Sequence, residues 1–129
     1  MPNTIVVSQN TQILGDSSLS EQKNITCEAI DKVEVSVPHG SSDMEVDLFT
    51  GLVTAVHVLA IKANQYPAGL SYKAHTAGGS PIVLDSMQLL VGAGEVGLLG
   101  ADPDKLFFSN SHISVDAIVT IFVGRDATP

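Results

Sequence analysis

The sequence predicts an all-β protein, an antiparallel β-sandwich that is jelly-roll-like. Three observations predict it. Apolar and polar residues alternate with a period of two in several runs, and the apolar members are largely β-branched. Gly, Pro, Asn, Asp and Ser return at close intervals between those runs, as turn formers do. No stretch shows a convincing helical period. The clearest run is residues 114–123, S-V-D-A-I-V-T-I-F-V. Its odd members are all apolar, and its even members pass from Ser114 and Asp116 to Ile118 and Phe122. That pattern predicts a central strand whose two faces are both covered near its end.

The chain then reads in order as follows. Residues 4–7 are a short β-branched run, 8–10 a turn, and 11–14 a resumption. Residues 15–22, G-D-S-S-L-S-E-Q, read as a polar loop. Ser18 and Glu21 have capping-box spacing, but no amphipathic helix follows them. Residues 23–30 alternate, with Ile25, Cys27 and Ala29 on one face. Asp31 and Lys32 punctuate, and Val33, Val35 and Val37 resume the alternation before a loop at 38–42. These two runs read as successive half-buried strands joined tightly.

Residues 43–48, D-M-E-V-D-L, alternate most strictly. As a strand they set Asp43, Glu45 and Asp47 about 7 Å apart in a row. A row along a strand does not converge on one ion, so a solvated acidic face outweighs a calcium or magnesium site. At a sheet edge it would also discourage unwanted pairing. Residues 52–64 are the longest apolar segment. Val53, Thr54, Val56, Val58 and Ile61 favour a long strand over a helix. His57 within it reads as a core or interface histidine.

After a turn at 65–69, residues 70–75 form a short strand with Tyr72. A flexible loop at 76–81 holds Gly78 and Gly79. Residues 81–84 and 87–91 are strands around a turn at Asp85 and Ser86. Residues 92–95 read as a turn, 96–99 as a short strand, and 101–104 as an acidic turn. Residues 105–109, K-L-F-F-S, are a strand, and 124–129 a polar tail.

Composition bounds function. A chain of 129 residues is one domain, residues 1–129, with 1–14 available as an extended N-terminal arm. Its net charge is −8, and its six Lys and Arg stand singly. No basic footprint exists for nucleic acid or for an anionic membrane surface. The one cysteine, Cys27, excludes an intrachain disulfide and reads as a buried thiol. The N-terminus has no signal-peptide pattern, and the apolar runs are too short for a membrane span.

Catalytic signatures are missing as well. His39, His57, His75 and His112 share no metal-ligand spacing, which argues against a zinc or cupin-type centre. There is no G-x-S-x-G turn. Gly78-Gly79 lacks the Lys and helix of a phosphate loop, and Gly92-x-Gly94 lacks the third glycine of a dinucleotide fingerprint. The absence of Trp disfavours carbohydrate binding. The predicted set of catalytic, metal and cofactor residues is therefore empty.

Residues 80–126 run from P-I-V-L through M-Q-L-L-V-G-A-G-E-V-G-L-L-G and K-L-F-F-S-N to D-A-I-V-T-I-F-V-G-R-D. In pattern this stretch resembles small virion proteins of tailed bacteriophages, especially β-sandwich head decoration or cement proteins. The resemblance implies a non-enzymatic structural protein without cofactors, made in the host cytoplasm and resident in the virion. It implies binding to the major capsid protein or another virion protein, as a homo-oligomer, dimer or trimer. Repeated copies on a lattice would turn modest contacts into avidity. Contacts are expected from residues 2–14 (Thr4, Ile5, Val6 and Val7), from 38–42 (His39 and Gly40) and from 76–81 (Gly78 and Gly79). A phage tail or baseplate domain, or a glycan-binding module, is the second reading, and a cupin-like enzyme the third. On fold, an immunoglobulin-like sandwich is the alternative, although its Cys–Trp–Cys core is missing.

Overall fold

A computed structural model of the chain describes residues 3–48 and 55–126. It is an all-β sandwich with a third, two-stranded layer. The strands are β1 (Asn3–Gln12), β2 (Ser18–Cys27), β3 (Ala29–Val37), β4 (Ser41–Asp47), β5 (Val56–Ala63), β6 (Leu70–Ala74), β7 (Ile82–Val83), β8 (Gln88–Val91), β9 (Lys105–Asn110) and β10 (Ala117–Arg125). One sheet has the order β3-β10-β5-β8, the other β4-β9-β6-β7, and every pairing is antiparallel. From β3 to β6 successive strands alternate between the two sheets. Among the described residues β1 and β2 pair only with each other.

The core lies between the two four-stranded sheets. Leu59, Ile61, Val119, Ile121 and Val123 face Val46, Leu70, Tyr72, Leu106 and Phe108, with Leu48, Leu84 and Val96 filling from the connections. Period-two alternation produces this, because one face of each strand is removed from water. The Tyr72 and Phe108 rings lie 5.8 Å apart. The Tyr72 hydroxyl crosses from the second sheet to donate to Gln88 Oε1 in the first, at 2.6 Å. Burial pushes the Tyr72 phenol up to about 12.

β10 sits inside its sheet between β3 and β5, as its sequence predicts. Its inward residues Val119, Ile121 and Val123 are fully buried. Its outward face is covered at Gly124, where the β1–β2 layer lies, and stays half open at Phe122 and Ile118.

Several predicted boundaries shift. β1 runs unbroken through residues 8–10, where the sequence predicts a turn. β2 begins at Ser18, inside the predicted polar loop, and the turn itself is 13–17. Over residues 8–12 and 18–24 these strands lack a buried face, so no alternation marks them there. The predicted strand over 23–30 is split at Glu28, and its halves enter different sheets. Asp31 and Lys32 lie within β3 rather than interrupting it. Residues 92–99, read as turn and strand, form α1 (Gly92–Val96) and a 3-10 turn (Gly97–Leu99). Five residues are too few for a helical period to show. The predicted polar tail contributes Gly124 and Arg125 to β10. Residues 52–54 of the predicted long strand lie outside the described residues; the strand itself is β5.

Candidate interaction surface

β1 and β2 pair over ten residues each, from Asn3↔Cys27 to Gln12↔Ser18. At about 3.3 Å per residue the ladder is roughly 30 Å long. Its turn is closed by two backbone bonds: Ile13 N–H donates to the Ser17 carbonyl at 2.8 Å, and Asp16 N–H to the Ile13 carbonyl at 3.0 Å. Among the described residues only the base of this arm is anchored. Val7 and Cys27 are buried, with Ile5 and Ile25 half-buried between them. Cys27 and Ile5 rest on Gly124, where a Cβ would stand 2.6 Å from both Cys27 Sγ and Ile5 Cδ1. Glycine is what allows this close approach.

Every residue from Ser8 to Asn24 is exposed. The tip carries Ile13, Leu14 and Leu19, with Leu14 90% exposed. An isolated hairpin is marginal in water, so this ladder is held mainly by its base.

Beside the arm base the outer face of the first sheet remains open. Two adjoining hollows of about 640 and 390 Å³ share Ala60, Met87 and Phe122, and together they form one apolar trough. The arm residues Ile5 to Ser8 border one end, and Asn64 and Ile118 the other. Lys32 Nζ stands 5.9 Å from the Phe122 ring centre.

The expected contact residues divide between the two ends of the sandwich. Thr4 and Val6 lie on the outward side of the arm base, while Ile5 and Val7 face the sheet. His39 and Gly40 lie at the other end, in the turn from β3 to β4. Both the backbone N–H and the ring Nδ1 of His39 engage Asp116 Oδ1, at 2.9 and 2.6 Å. Gly40 takes φ +82 and donates its N–H to the Asn110 carbonyl at 2.7 Å. Gly78 and Gly79 follow β6 at the arm's end of the molecule, where Gly79 N–H donates to the Thr76 carbonyl. The trough residues Phe122, Ile118 and Met87 were not among the expected contacts. The apolar even members of residues 114–123 were the available signal.

The chemistry-bearing side chains are engaged structurally. Asp43 pairs with Lys73 at 3.0 Å and Glu45 with Lys105 at 3.5 Å. Among the described residues no group of three or more His, Cys, Asp or Glu is placed to hold a metal. His57 Nε2 bonds Asp126 Oδ1 at 2.8 Å, and His75 Nδ1 bonds Asp104 Oδ1 at 2.8 Å. Burial, helped by the Asp126 charge, pushes the Cys27 thiol up, away from the thiolate a nucleophile needs. No protein-family model, curated protein or solved structure matches this chain.

Proposed function

We propose that this chain is a structural virion protein that binds and stabilises a bacteriophage capsid lattice, as decoration or cement proteins do. The observation that carries the proposal is the arm. Seventeen consecutive residues, 8–24, are exposed in a regular ladder with three large aliphatic side chains at its tip. Such a ladder is costly to order and has no core of its own, so a surface that receives it supplies the missing burial. The body is a rigid platform for the arm. Its strand order, β3-β10-β5-β8 over β4-β9-β6-β7, supports reading it as an eight-stranded jelly roll, an architecture used in viral capsids among other settings. The pattern of residues 80–126 favours the same class.

The test is co-sedimentation with capsids assembled from the major capsid protein of the same phage. The comparison is between the parent chain and one carrying Ile13→Ser, Leu14→Ser and Leu19→Ser. All three residues are exposed, so the fold is retained, and burying each on a partner is worth about 1.5–3 kcal/mol. Binding should weaken roughly tenfold or more. Equal binding by the two chains removes the arm from the contact, and no binding by the parent removes the capsid reading.

A further inference from the structure

We propose that two copies of this chain join through β3, edge to edge, across a two-fold axis at Val33. The argument begins with the four edges of the sandwich. β7 is two residues long. β8 has four residues, and α1 packs across it and β5. β4 carries a register shift between Ser41 and Met44, a positive φ at Asp43 and three carboxylates. Short length, irregularity and charge are the devices that keep an edge from pairing.

β3 has none of the first two. It is nine residues long and keeps perfect register with β10 from Ala29↔Arg125 to Val37↔Ala117. It contains no proline, and among the described residues no loop backbone group bonds to positions 29–36. The core is also unsealed there. Val33 and Val35 remain partly exposed, although Ile121 and Val119 beside them in β10 are fully buried.

The remaining device, charge, is self-complementary. Lys32 and Glu34 lie on the outer face, one on each side of Val33. In an antiparallel pairing about Val33, Lys32 of each copy stands opposite Glu34 of the other. On the inner face Val33 meets Val33, which closes the gap left in the core. Asp31 falls opposite Val35, and its carboxylate stays bound to Arg125 at 2.8 Å. Alternative registers one or two residues away break the Lys–Glu match, so the charges select one register. The result is a continuous eight-stranded sheet, an isologous contact that closes on itself. The contact is between copies of this chain, so it stands or falls separately from the capsid reading.

Sedimentation velocity over a range of concentrations tests it. The parent chain should run as a concentration-dependent dimer. Lys32→Glu and Glu34→Lys each set like charges opposite one another at both positions, and each should weaken the dimer by roughly tenfold or more. Both side chains are exposed, so the circular dichroism of each variant should match the parent. Mixing the two single variants, or combining the two substitutions in one chain, restores opposite charges and should restore the dimer. A parent that is monomeric throughout, a parent trimer, or a Glu34→Lys chain with the parent's mass overturns the proposal.

Discussion

Gly124 of β10 lies directly against Cys27 of β2, with room for hydrogen alone at its α-carbon: a methyl group there would stand 2.6 Å from the Cys27 Sγ. The pairing of β10 with β5 also shifts between Gly124 and Arg125. A strand glycine of this kind marks close backbone approach and a local irregularity together. Gly124→Ala should therefore lift the arm base from the sheet and cost about 1–3 kcal/mol, the usual range for an overpacked site. Hydrogen exchange provides the local reading. The amides of Ile5 and Val7 should exchange faster while that of Ile121 changes little. Unaltered exchange at the arm base would mean that the arm is held elsewhere.

The same contact governs thiol chemistry. Cys27 is 1% exposed, and burial and the nearby Asp126 both hold its thiol in the protonated form. Alkylation by iodoacetamide near neutral pH should be at least about tenfold slower than for an unfolded control, because the reaction needs an accessible thiolate. Gly124→Ala should recover part of that rate. Rapid labelling of the folded parent would contradict the described burial.

The body of the sandwich was legible in the sequence because burial on one face writes a period of two. Residues 114–123 and 43–48 show it plainly, and the structure places 117–123 of the first in β10 and 43–47 of the second in β4, while 114–116 remain in the loop before β10. The acidic row of β4 lies in an edge strand, the setting in which such a row discourages unwanted pairing. The arm was only half legible. Its tip is exposed on both faces, so polar residues such as Ser18, Ser20 and Gln22 serve as strand residues without any alternation. The sequence predicts a turn at 92–95 and a strand at 96–99 where α1 and the 3-10 turn stand, because a single helical turn leaves no periodic trace. The trough at Phe122 could be suspected from the apolar even positions, but its openness depends on how far the arm base reaches along β10, which no local pattern encodes.

Asn110 is the single buried polar residue among the described residues. Its Nδ2 donates to the carbonyls of Val37 at 3.1 Å and Val115 at 2.9 Å, and its Oδ1 accepts from His112 N–H at 3.1 Å. One side chain thus ties the end of β9 to the end of β3 and to the loop that leads into β10. Asn110→Ala removes three bonds and leaves backbone groups to find water. It should cost about 2–4 kcal/mol in a denaturant titration. Asn110→Asp should be at least as damaging, because a carboxylate oxygen would replace the donor facing two carbonyls. A variant of parental stability would show that water replaces the amide without loss.

Two exposed histidine–aspartate contacts set opposite pH limits. The hydrogen bond that His75 donates to the Asp104 carboxylate, and then the charge of that carboxylate, raise His75 above its ordinary 6.5. The folded state therefore holds that proton more tightly than the unfolded chain. The resulting stabilisation is complete below the ordinary value and is lost as pH rises through the folded one. Hydrogen bonds from the His39 backbone and ring lower Asp116 below its ordinary 3.8. That stabilisation is complete above 3.8 and is lost as pH falls through the folded value. Both contacts thus contribute in full between those two ordinary values. An NMR titration of the imidazole resonances checks the upper limit. His75 should titrate above an unfolded reference in the parent, and Asp104→Asn should bring it back towards 6.5. A His75 titration that is the same in parent and variant would remove Asp104 as the cause. For the lower limit, an NMR titration of the Asp116 carboxyl carbon should show it rising towards 3.8 when His39→Ala deletes the ring donor. The rise should be partial, because the backbone N–H at position 39 still donates to it.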